Sequence, residues 1–445
     1  MSKELNHSET FNNLEKVLII GNGGRENALA WAIAKNELVK KIYLIPGNGG
    51  SAKINKCERI FLNIDDKKEL IKKLNLLVID LIVIGPEIPL SKGLGDFLRK
   101  NKFKVFGPNQ DGAKLEYSKS WAKEFMQSAN IPTAKFWKVN SLIEAKEIID
   151  SSNSPLVVKA DGLASGKGVF IPESKNECLQ ATEAIFKGKF GNAGQVVVLE
   201  ERIQGPEVSV FALCDGEKYI LLPTAQDHKR LEDNDKGPNT GGMGAYSPAP
   251  LLTEDHIERI TKEIIKPTIS ELKRKNIEYR GVLYFGLMIT KSGPKVIEYN
   301  CRFGDPECQT IMPLMDKNFV ILLQKCAMGN LTGTEKANNV SKVSGCIIAT
   351  SEGYPNEYKT GLPINIGPIE SDNCQIFDSG TRLSKNGGTL TDGGRVLSIV
   401  CQDEDFDKVF EKAYKNIQQV HFEGIFYRKD IGHQVRTKFS KETLN

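Results

Sequence analysis

The sequence predicts an α/β and α+β multidomain protein, with an N-terminal parallel α/β domain, a central domain of strands and glycine-rich loops, and a C-terminal α+β domain. Its 445 residues are more than one hydrophobic core usually organises. Short aliphatic runs alternate with amphipathic helical patterns from Lys16 to about Pro108, which is typical of a parallel sheet. Strand-rich sequence follows, first with glycine-rich loops and then, after about Asn330, with a final helical pattern. The expected units are a disordered extension followed by the three domains, at 1–15, 16–117, 118–335 and 336–445.

Composition excludes several classes of protein. Hydrophobic residues at 40%, charged residues at 26% and a net charge of +4 are typical of a globular protein and do not indicate nucleic-acid binding. No apolar run approaches the roughly 20 residues of a membrane span, and the polar N-terminus has no signal-peptide core. Nine cysteines without a CxxC pair predict reduced thiols in a cytoplasmic protein. Five histidines without metal-site spacing disfavour zinc and His-centred nucleophile activation.

The first glycine cluster lies between a predicted strand and a predicted helix. In "IIGNGGREN", Gly21, Gly23 and Gly24 place backbone amides at a helix N-terminus, where they can hold an anion. A dinucleotide fingerprint fails, because its third glycine position is Glu26 and the second strand ends without an acidic residue. The loop therefore favours a phosphate monoester over NAD. A tight packing turn is the alternative.

A second glycine-rich loop, "VVKADGLASGKGV", joins two predicted strands. Lys159 ends the first strand, and the loop contains Gly162, Gly166, Lys167 and Gly168. It is not a Walker loop, because its glycines are too close together, glycine replaces Ser or Thr, and no helix follows. The arrangement predicts a flap that closes over a triphosphate. A mobile hairpin with solvated lysines is the alternative.

Two polar segments follow in the central domain. In "VVVLEERIQGPEVSV", Glu200, Glu201 and Glu207 lie at strand ends, where acceptors can bind an adenine amino group and ribose hydroxyls. Charged hairpin ends are usually just solvated, so this signal is weak. "QDHKRLEDNDKGPNTGGMGAYSP" is a long polar loop, and loops of this length are often functional. The candidates for contacting an anionic substrate, unless they form a solvated charge run, are Asp227, His228, Lys229 and Arg230.

The stretch "VIEYNCRFGDPE" alternates as a strand. One face is predicted to carry Val296, Glu298, Asn300 and Arg302, and the core face Ile297, Tyr299, Cys301 and Phe303. Glu298 and Asn300 offer hard oxygen ligands of the kind that suits Mg²⁺ shared with phosphates. Arg302 could clamp a phosphate or carboxylate with two hydrogen bonds. The alternative is an ion pair between Glu298 and Arg302.

Together these elements resemble the ATP-grasp superfamily and, within it, the glycinamide ribonucleotide synthetase family. The resemblance covers nearly the whole chain from Lys16 to about His433. It rests on "GNGGRENALAW", "GPEIPLSKGLGD", "KADGLASGKGV", "DHKRLEDNDKGPNTGGMGAYSP", "EYNCRFGDPECQ", "SEGYP" and "TDGGRVL". The run "RFGDPE" followed by Gln309 is the most specific of these. The resemblance implies an ATP-grasp fold with a glycine-rich flap in the central domain.

The resemblance also implies an ATP site. Its phosphate-binding lysines are Lys119 and Lys159, and its flap contains Gly166, Lys167 and Gly168. The adenine hinge comprises Glu200, Arg202 and Ile203, and the ribose ligand is Glu207. Glu298 and Asn300 match ligands of Mg²⁺ or Mn²⁺. A further metal-binding carboxylate of the superfamily aligns with Gly286, so fewer protein ligands per metal are expected.

The implied reaction joins glycine to 5-phosphoribosylamine. ATP would phosphorylate the glycine carboxylate, and the amine would attack the glycyl phosphate without a protein nucleophile. The segments matching the phosphate and ribose sites of the amine are Gly21, Gly23, Gly24, Arg25 and Glu87. The catalytic candidates are Arg302, Asp305 and Lys229, and the further substrate-binding candidates are Asp227 and Glu307. Asp305 and Glu307 would receive the glycine ammonium group unless they brace the turn.

Three other readings stay open from the residues alone. The chain could be a different carboxylate–amine ligase of the superfamily, an NAD-dependent oxidoreductase, or a nucleotide-binding regulator without activity. The run "RFGDPE" disfavours a different ligase, and the broken dinucleotide fingerprint disfavours the oxidoreductase. The inactive regulator is disfavoured because every expected phosphate-binding and metal-binding position is filled. Small-molecule substrates, no nucleic-acid or membrane partner, a cytoplasmic location and, at family level, a monomer are expected.

Overall fold

The computed structural model describes residues 14–164, 168–335, 337, 342–370 and 373–437. Most of the predicted extension, residues 1–13, lies outside the described residues, as do Gly166 and Lys167 of the predicted flap.

The N-terminal unit is a parallel sheet with helices between its strands, as predicted. Its elements are β1 Lys16–Gly21, α1 Gly24–Ala34, β2 Lys41–Pro46, β3 Cys57–Arg59, α2 Lys67–Leu77, β4 Leu81–Ile84, α3 Glu87–Ser91, α4 Leu94–Lys100, β5 Val105–Phe106 and α5 Gln110–Tyr117. The strand order is β3–β2–β1–β4–β5, with every pair parallel. The order reverses between β1 and β4. The loops that follow these two strands therefore meet at one edge, where such sheets bind ligands.

The central unit contains the antiparallel sheets expected of an ATP-grasp domain. Its elements are α6 Lys119–Ser128, β6 Phe136–Val139, α7 Leu142–Ser151, β7 Leu156–Ala160, β8 Val169–Phe170, α8 Lys175–Ala184, β9 Val197–Glu201, β10 Glu207–Cys214, β11 Tyr219–Leu221, β12 Gln226–Asp227, β13 Arg230–Glu232, β14 Lys236–Asn239, β15 Gly244–Ser247, α9 Glu254–Ile260, α10 Lys266–Arg274, β16 Gly281–Thr290, β17 Gly293–Asn300, α11 Glu307–Ile311 and α12 Phe319–Met328. Among the described residues, four strands pair in the order β6–β9–β7–β8 and four in the order β11–β10–β16–β17. The ammonium group of Lys159 on β7 donates to the carbonyl of Ile297 on β17 at 3.1 Å and so links the two sheets.

The long polar segment predicted as a loop contains strands instead. Strands β13 and β14 form a hairpin, and β12 and β15 join a sheet of the C-terminal unit. Met243 and Tyr246 explain the difference, because both are buried in the C-terminal hydrophobic core. Burial against a distant part of the chain therefore determines these strands.

The C-terminal unit is an antiparallel sheet covered by one long helix. Its elements are β18 Val343–Ser351, β19 Asn365–Ile366, β20 Cys374–Asp378, β21 Thr381–Leu383, β22 Thr389–Thr391, β23 Arg395–Asp403, α13 Phe406–Ile417, β24 Val420–His421 and β25 Ile425–Phe426. Among the described residues the strand order is β12–β15–β18–β23–β20, with β25 pairing with β18. The α+β prediction for this unit is confirmed.

One pair of cysteines departs from the prediction of reduced thiols. Cys374 and Cys401 lie opposite each other on β20 and β23 and form a disulfide. The prediction is wrong for this pair, because sheet register brings together two residues that are 27 positions apart in the chain. The other seven cysteines are free thiols.

Within the described ranges, no helix combines the length and the apolar character needed to cross a membrane.

Candidate active site

Strand β17 contains a bulge at Ile297. Gly286 of β16 lies opposite Glu298 and Leu287 lies opposite Val296, so Ile297 is an extra residue between two pairs. Because side chains alternate with a period of two, the extra residue reverses the facing of the positions before it. Val296 is therefore fully buried in the core and does not share the face of Glu298, contrary to the prediction. Ile297 instead contributes to a pocket beside Glu298.

Beyond the bulge the predicted alternation is confirmed. The buried side chains are Tyr299, Cys301 and Phe303. The partly exposed side chains on the opposite face are Glu298, Asn300 and Arg302. One face thus presents a carboxylate, a carboxamide and a guanidinium group in sequence.

Glu298 lies among positive charges. Its Oε1 atom is 3.7 Å from Nζ of Lys229, and that nitrogen is also 2.7 Å from Oε2 of Glu207. Burial acts to raise the pKa of Glu298, but neighbouring cations outweigh burial and lower that pKa. These cations are Lys229, Lys159, Lys119 and Arg302. The structure therefore brings the predicted phosphate-binding lysines and Lys229 to the predicted metal ligand.

The two predicted phosphate-binding lysines approach from different elements. Lys119 begins α6, and its ammonium group donates to the carbonyl of Gly162 at 3.1 Å in the predicted flap. Burial and the nearby charge of Lys159 lower the pKa of Lys119. An anionic ligand would relieve this repulsion. Strands β7 and β8 pair antiparallel, as both the predicted flap and the alternative of a mobile hairpin require. A Cβ atom added at Gly168 would lie only 2.7 Å from Cβ of Ala164, so the backbone is closely approached there.

Glu200 is buried between two lysines. Its carboxylate oxygens lie 2.7 Å from Nζ of Lys159 and 2.8 Å from Nζ of Lys123. Burial acts to raise the pKa of Glu200, but these two charges outweigh it and lower that pKa. Burial lowers the pKa of Lys123 to about 8. Sequence reasoning missed Lys123, although it follows Lys119 by four positions and therefore shares its helix face.

The predicted adenine hinge begins at Glu200, the residue before the last of β9. Arg202 and Ile203 lie in the connection from β9 to β10. The Arg202 side chain pairs with Glu173 at 3.0 Å, so only its backbone is placed for the predicted role. Glu207 begins β10 and forms an ion pair with Lys229. Because Lys229 also contacts Glu298, the predicted ribose ligand lies close to the predicted metal ligand.

Arg302 is held by two carboxylates. Its Nε atom lies 3.3 Å from Oε2 of Glu87, and an Nη atom lies 2.6 Å from Oε1 of Glu116. Among the described residues it forms no ion pair with Glu298, so the alternative of a simple pair along the strand is wrong. Glu116 was missed, because its partners belong to the central unit, 185 or more positions later in the chain. It is itself fixed by the amide of Cys301, which donates to it at 2.8 Å.

The first glycine loop is built around Glu26. Its carboxylate accepts from the amide of Gly23 at 2.7 Å and from the guanidinium of Arg25. Cβ atoms added at Gly21 and Gly85 would lie 2.6 and 2.0 Å from the Glu26 side chain. The residue that breaks the dinucleotide fingerprint therefore occupies the space between the ends of β1 and β4.

Asp305 joins the three units. It accepts from the amide of Arg25 at 3.2 Å and from the carboxamide of Gln309 at 2.8 Å, and it lies 3.2 Å from a guanidinium nitrogen of Arg395. These partners favour the bracing role over contact with glycine. Sequence reasoning missed Arg395, although it lies in the quoted run "TDGGRVL".

Glu307 lies on the other side of Gly286 from Glu298 and is almost completely buried. It accepts from the hydroxyl of Tyr284 at 3.0 Å and from that of Ser209 at 3.2 Å. Burial and the charge of Glu307 raise the pKa of Asp227 well above its usual value. Both predicted substrate-binding carboxylates therefore lie close together. The pocket beside them is lined by Glu207, Val208, Ser209, Asp227, Lys229, Tyr284, Gly286, Leu287 and Ile297.

Two other candidates of the polar segment do not reach this pocket. His228 is buried against Tyr246 and His433, and burial together with Arg428 lowers its pKa to about 4. It belongs to the C-terminal core. Arg230 donates to the carbonyl of Gly237 within its own hairpin.

The predicted metal ligands, Glu298 and Asn300, fit a divalent ion that is shared with phosphates. Glu298 and Asn300 supply hard oxygen atoms on one face, as Mg²⁺ requires. In the described part of the chain, no group of three or more His, Cys, Asp or Glu side chains could hold a metal. A side chain at Gly286 would not fit, because its Cβ atom would lie 2.9 Å from Cγ of Glu298. Water or substrate oxygens would supply the remaining ligands of such an ion.

Three family models match consecutive parts of the chain. They describe phosphoribosylglycinamide synthetase: its N domain matches residues 15–116, its ATP-grasp (A) domain residues 117–308, and its C domain residues 344–434.

Curated and solved proteins are similar over nearly the full length. A phosphoribosylamine–glycine ligase of Nostoc sp. is 43% identical, over 95% of this chain and 100% of the relative. That of Synechocystis sp. is 42% identical, over 94% and 99%. The crystal structure of the Thermotoga maritima phosphoribosylamine–glycine ligase has a TM-score of 0.81 at 33% identity and covers 94% of this chain and 100% of its own. Biotin carboxylase from Campylobacter jejuni shares the fold, with a TM-score of 0.71 at 18% identity over 93% of each chain.

Proposed function

The chain belongs to the phosphoribosylglycinamide synthetase family and is an ATP-dependent ligase that makes glycinamide ribonucleotide in purine biosynthesis; we propose that it works through glycyl phosphate. The observation that carries the proposed mechanism is the row of Ser209, Gly286 and Glu298 across β10, β16 and β17. This row supports the proposal that phosphates bind on the side of Glu298, next to the acidic pocket that contains Asp227 and Glu307.

The first step transfers the γ-phosphoryl group of ATP to a carboxylate oxygen of glycine. The terminal P–O bond of ATP breaks, a new P–O bond forms, and ADP leaves. Lys119 and Lys159 hold the polyphosphate, and Lys229 turns from Glu207 toward the transferring group. No protein nucleophile is needed, because position and charge provide the catalysis.

A divalent metal accompanies ATP in an ATP-grasp enzyme, and we assign it as Mg²⁺ held by Glu298 and Asn300. When bound, it neutralises charge on the phosphates. Two hard oxygen ligands and a place shared with phosphates suit Mg²⁺, and Mn²⁺ takes the same kind of ligands.

The nucleotide base and ribose are assigned to the hinge. Glu200 and the backbone of Arg202 and Ile203 receive adenine, while Glu207 binds ribose hydroxyls after Lys229 turns away. We retain Lys167 as the flap lysine. Closing the flap would exclude water from an acyl phosphate that hydrolyses readily.

The phosphoribosylamine is assigned to the edge where β1 and β4 end. Its ribose meets Glu87, and its phosphate meets the loop of residues 21–25. The amides of Gly23 and Arg25 already donate to Glu26 and Asp305, so the amide of Gly24 is the proposed donor. The amine attacks the glycyl carbonyl carbon, an N–C bond forms and phosphate leaves. Arg302 faces this reaction from its position beside Glu87.

We also propose that the chain works as a monomer in the cytoplasm. The residues assigned above come from the N-terminal and central units of one chain, which supports the monomer.

An ADP-release assay tests the function. Glycine and freshly generated phosphoribosylamine are supplied together and then each is omitted. Full release is expected only with both, and glycinamide ribonucleotide is identified by mass spectrometry. Hydroxylamine in place of the amine should trap glycyl hydroxamate and so report the intermediate. Equal ADP release when bicarbonate or formate replaces glycine would contradict the assignment.

A further inference from the structure

Asn48 is a buried asparagine in the connection from β2 to β3, and none of the roles assigned above uses it. Its side-chain nitrogen donates to the carbonyl of Asn22 at 3.1 Å and to the carbonyl of Asp378 at 2.6 Å. A third carbonyl, that of Gly23, lies 3.5 Å from the same nitrogen. Both N–H groups of the carboxamide are therefore used. They join the first glycine loop, residues 21–25, to the C-terminal unit.

The side-chain oxygen of Asn48 is occupied as well. It accepts from the carboxamide of Asn27, the amide of Gly50 and the hydroxyl of Ser51, each at 3.1 Å. These contacts fix which way the carboxamide faces, because turning it over would bring its oxygen against carbonyl oxygens and its N–H groups against donors. A carboxylate at this position would meet the same carbonyl oxygens. The contacts therefore require an amide side chain.

The bonds from Asn48 orient the peptide groups of the first glycine loop. These peptide groups are trans, so the C=O and N–H of each point in opposite directions. The carbonyl of Asn22 faces Asn48, and the N–H of Gly23 in the same peptide group therefore points away. That N–H donates to Glu26 at 2.7 Å. The carbonyl of Gly23 also faces Asn48, so the N–H of Gly24 points away from it and out of the N-terminus of α1.

The amide of Gly24 is the one that this arrangement leaves for a ligand. The amides of residues 23 and 25 already donate to carboxylates. Within the described part of the chain, the amide of Gly24 forms no hydrogen bond. Next to it the hydroxyl of Ser379 is buried without a hydrogen-bond partner, and a Cβ atom added at Gly24 would lie 2.4 Å from that oxygen. An anionic oxygen would satisfy donors of this kind.

Asn48 also links the first glycine loop to a unit that was not predicted to bind substrate. Its bond to the carbonyl of Asp378, at the end of β20, is accompanied by a second one, in which the amide of Asp378 donates to Asn27 at 3.3 Å. Gly50 allows the close approach, because an added Cβ atom would lie 2.0 Å from a carboxylate oxygen of Asp378. The C-terminal unit thus holds the loop in its observed conformation.

We propose that Asn48 is a positioning residue for the phosphate of phosphoribosylamine, an assignment that rests on the proposed function. It acts through the peptide groups of the first glycine loop, which it turns so that the amide of Gly24 faces the ligand. Asn48 does not touch the phosphate, because both of its N–H groups are used within the chain. The phosphate is held before and during the reaction alike, so loss of Asn48 weakens binding of this substrate more than it slows the chemical step.

Steady-state kinetics of Asn48→Ala in the full chain test the proposal. We expect KM for phosphoribosylamine to rise about 10-fold or more, because a hydrogen bond to a charged group is lost when the loop turns. The value of kcat should fall less than about threefold, because the phosphate is remote from the reacting atoms. KM for ATP and for glycine should also stay within about threefold, since neither is assigned to this loop.

Asn36→Ala is the matched control. Asn36 is 3% exposed, as Asn48 is, and it also joins the N-terminal unit to another unit, because its carboxamide donates to the carbonyl of Lys317 at 2.9 Å. It lies beyond the opposite end of α1 from the first glycine loop. Asn36→Ala should therefore leave KM for phosphoribosylamine within about twofold.

A second variant guards against loss of the fold. Thermal unfolding and ATP binding by calorimetry identify folded chains. Asn48→Ser replaces Asn48→Ala if the alanine variant is unfolded, because a serine hydroxyl has one donor and cannot serve two carbonyl groups. The same rise in KM for phosphoribosylamine is expected.

Ribose 5-phosphate provides a readout that does not depend on turnover, because it carries the phosphate and lacks the amine. Its dissociation constant, measured by calorimetry, should rise about tenfold or more in Asn48→Ala and should be unchanged in Asn36→Ala. Unchanged binding of ribose 5-phosphate and unchanged KM for phosphoribosylamine in a folded Asn48 variant would overturn the positioning role.

The remaining outcomes separate this role from a general structural one and from the function itself. Equal rises in KM for all three substrates, or equal effects of Asn36→Ala and Asn48→Ala, would show that Asn48 only stabilises the fold and would overturn the proposal. If the unaltered chain neither uses phosphoribosylamine nor binds ribose 5-phosphate, the proposed function itself is wrong.

Discussion

The two sides of Gly286 carry opposite excesses of charge. On one side Glu298 lies among Lys119, Lys159 and Lys229, and on the other Asp227 and Glu307 have no paired cation within the described residues. The side of Glu298 has an excess of positive charge, which the phosphates of ATP would balance. The side of Asp227 and Glu307 has no paired cation, and an ammonium group would balance it. Groups fixed before the substrates bind stabilise charge without reorganising during the reaction.

Removing the carboxylate of Glu298, which lies among the three lysines, should have the largest effect on activity. We expect Glu298→Ala to lower kcat by roughly 10³-fold or more, because three lysines would then face the phosphates without the metal ligand between them. ADP release measures the loss, and circular dichroism checks that the fold is kept. Glu217→Ala serves as an exposed control. Near-normal turnover in a folded Glu298→Ala variant would remove this residue from the metal site.

Changing Arg302, which lies beside Glu87 and the proposed phosphoribosylamine site, should have the next largest effect on activity. Arg302→Lys keeps the charge but cannot reach Glu87 and Glu116 together, so kcat/KM for phosphoribosylamine should fall about 100-fold. The control is Arg259→Lys, since Arg259 pairs with Glu263 on the surface. If Arg302→Lys retains the full kcat/KM, the guanidinium geometry is not required.

Neutralising a buried lysine of the cationic side should have a moderate and pH-dependent effect. Lys123→Met leaves Glu200 with one lysine, and KM for ATP should rise about tenfold at pH 7. Lys123 has a pKa of about 8, so it is charged below this pH and neutral above it. KM for ATP in the unaltered chain should therefore rise as pH increases through about 8.

The same pH series on two variants checks the origin of that rise. Lys123→Met should lack it, because the titrating group is gone. Lys138→Met should keep it, because Lys138 pairs with Glu124 at the surface. A rise of equal size in Lys123→Met would show that another group titrates.

Removing one hydroxyl from the acidic side should have the smallest effect. Ser209→Ala leaves Tyr284 to donate to Glu307, so KM for glycine should rise only about threefold to fivefold. Steady-state kinetics at varied glycine concentration measure this KM. Ser128→Ala is a suitable control, because that hydroxyl donates to Glu271 on α10. A rise of about 30-fold or more in Ser209→Ala would contradict a merely supporting role for this hydroxyl.

Local patterns predicted the parts of the fold that depend on nearby residues. Alternating aliphatic runs and helical patterns were enough for the N-terminal sheet, and Glu298, Asn300 and Arg302 share a face as predicted. The bulge at Ile297 was not predictable from alternation, because it depends on the register with β16. A single strand contains no information about where its partner skips a residue.

Residues of the site that come from distant segments were also missed. Glu116 and Arg395 acquire their roles only when three units fold together around Arg302 and Asp305. Their charges alone do not distinguish them from solvated surface residues. Lys123 was different, since its spacing from Lys119 was a usable signal in the sequence.

Strands β12 and β15 limit how this chain can be divided. They lie before β16 in the chain, yet β15 pairs with β18 and β12 pairs with β15. A fragment beginning at residue 336 would lack both strands and would expose the edge of β18. Exposed strand edges pair with other chains and promote aggregation. Exchanging C-terminal modules between relatives would therefore require residues 226–247 to be exchanged with them, although more than ninety positions separate β15 from β18. The unit of recombination in this molecule is discontinuous.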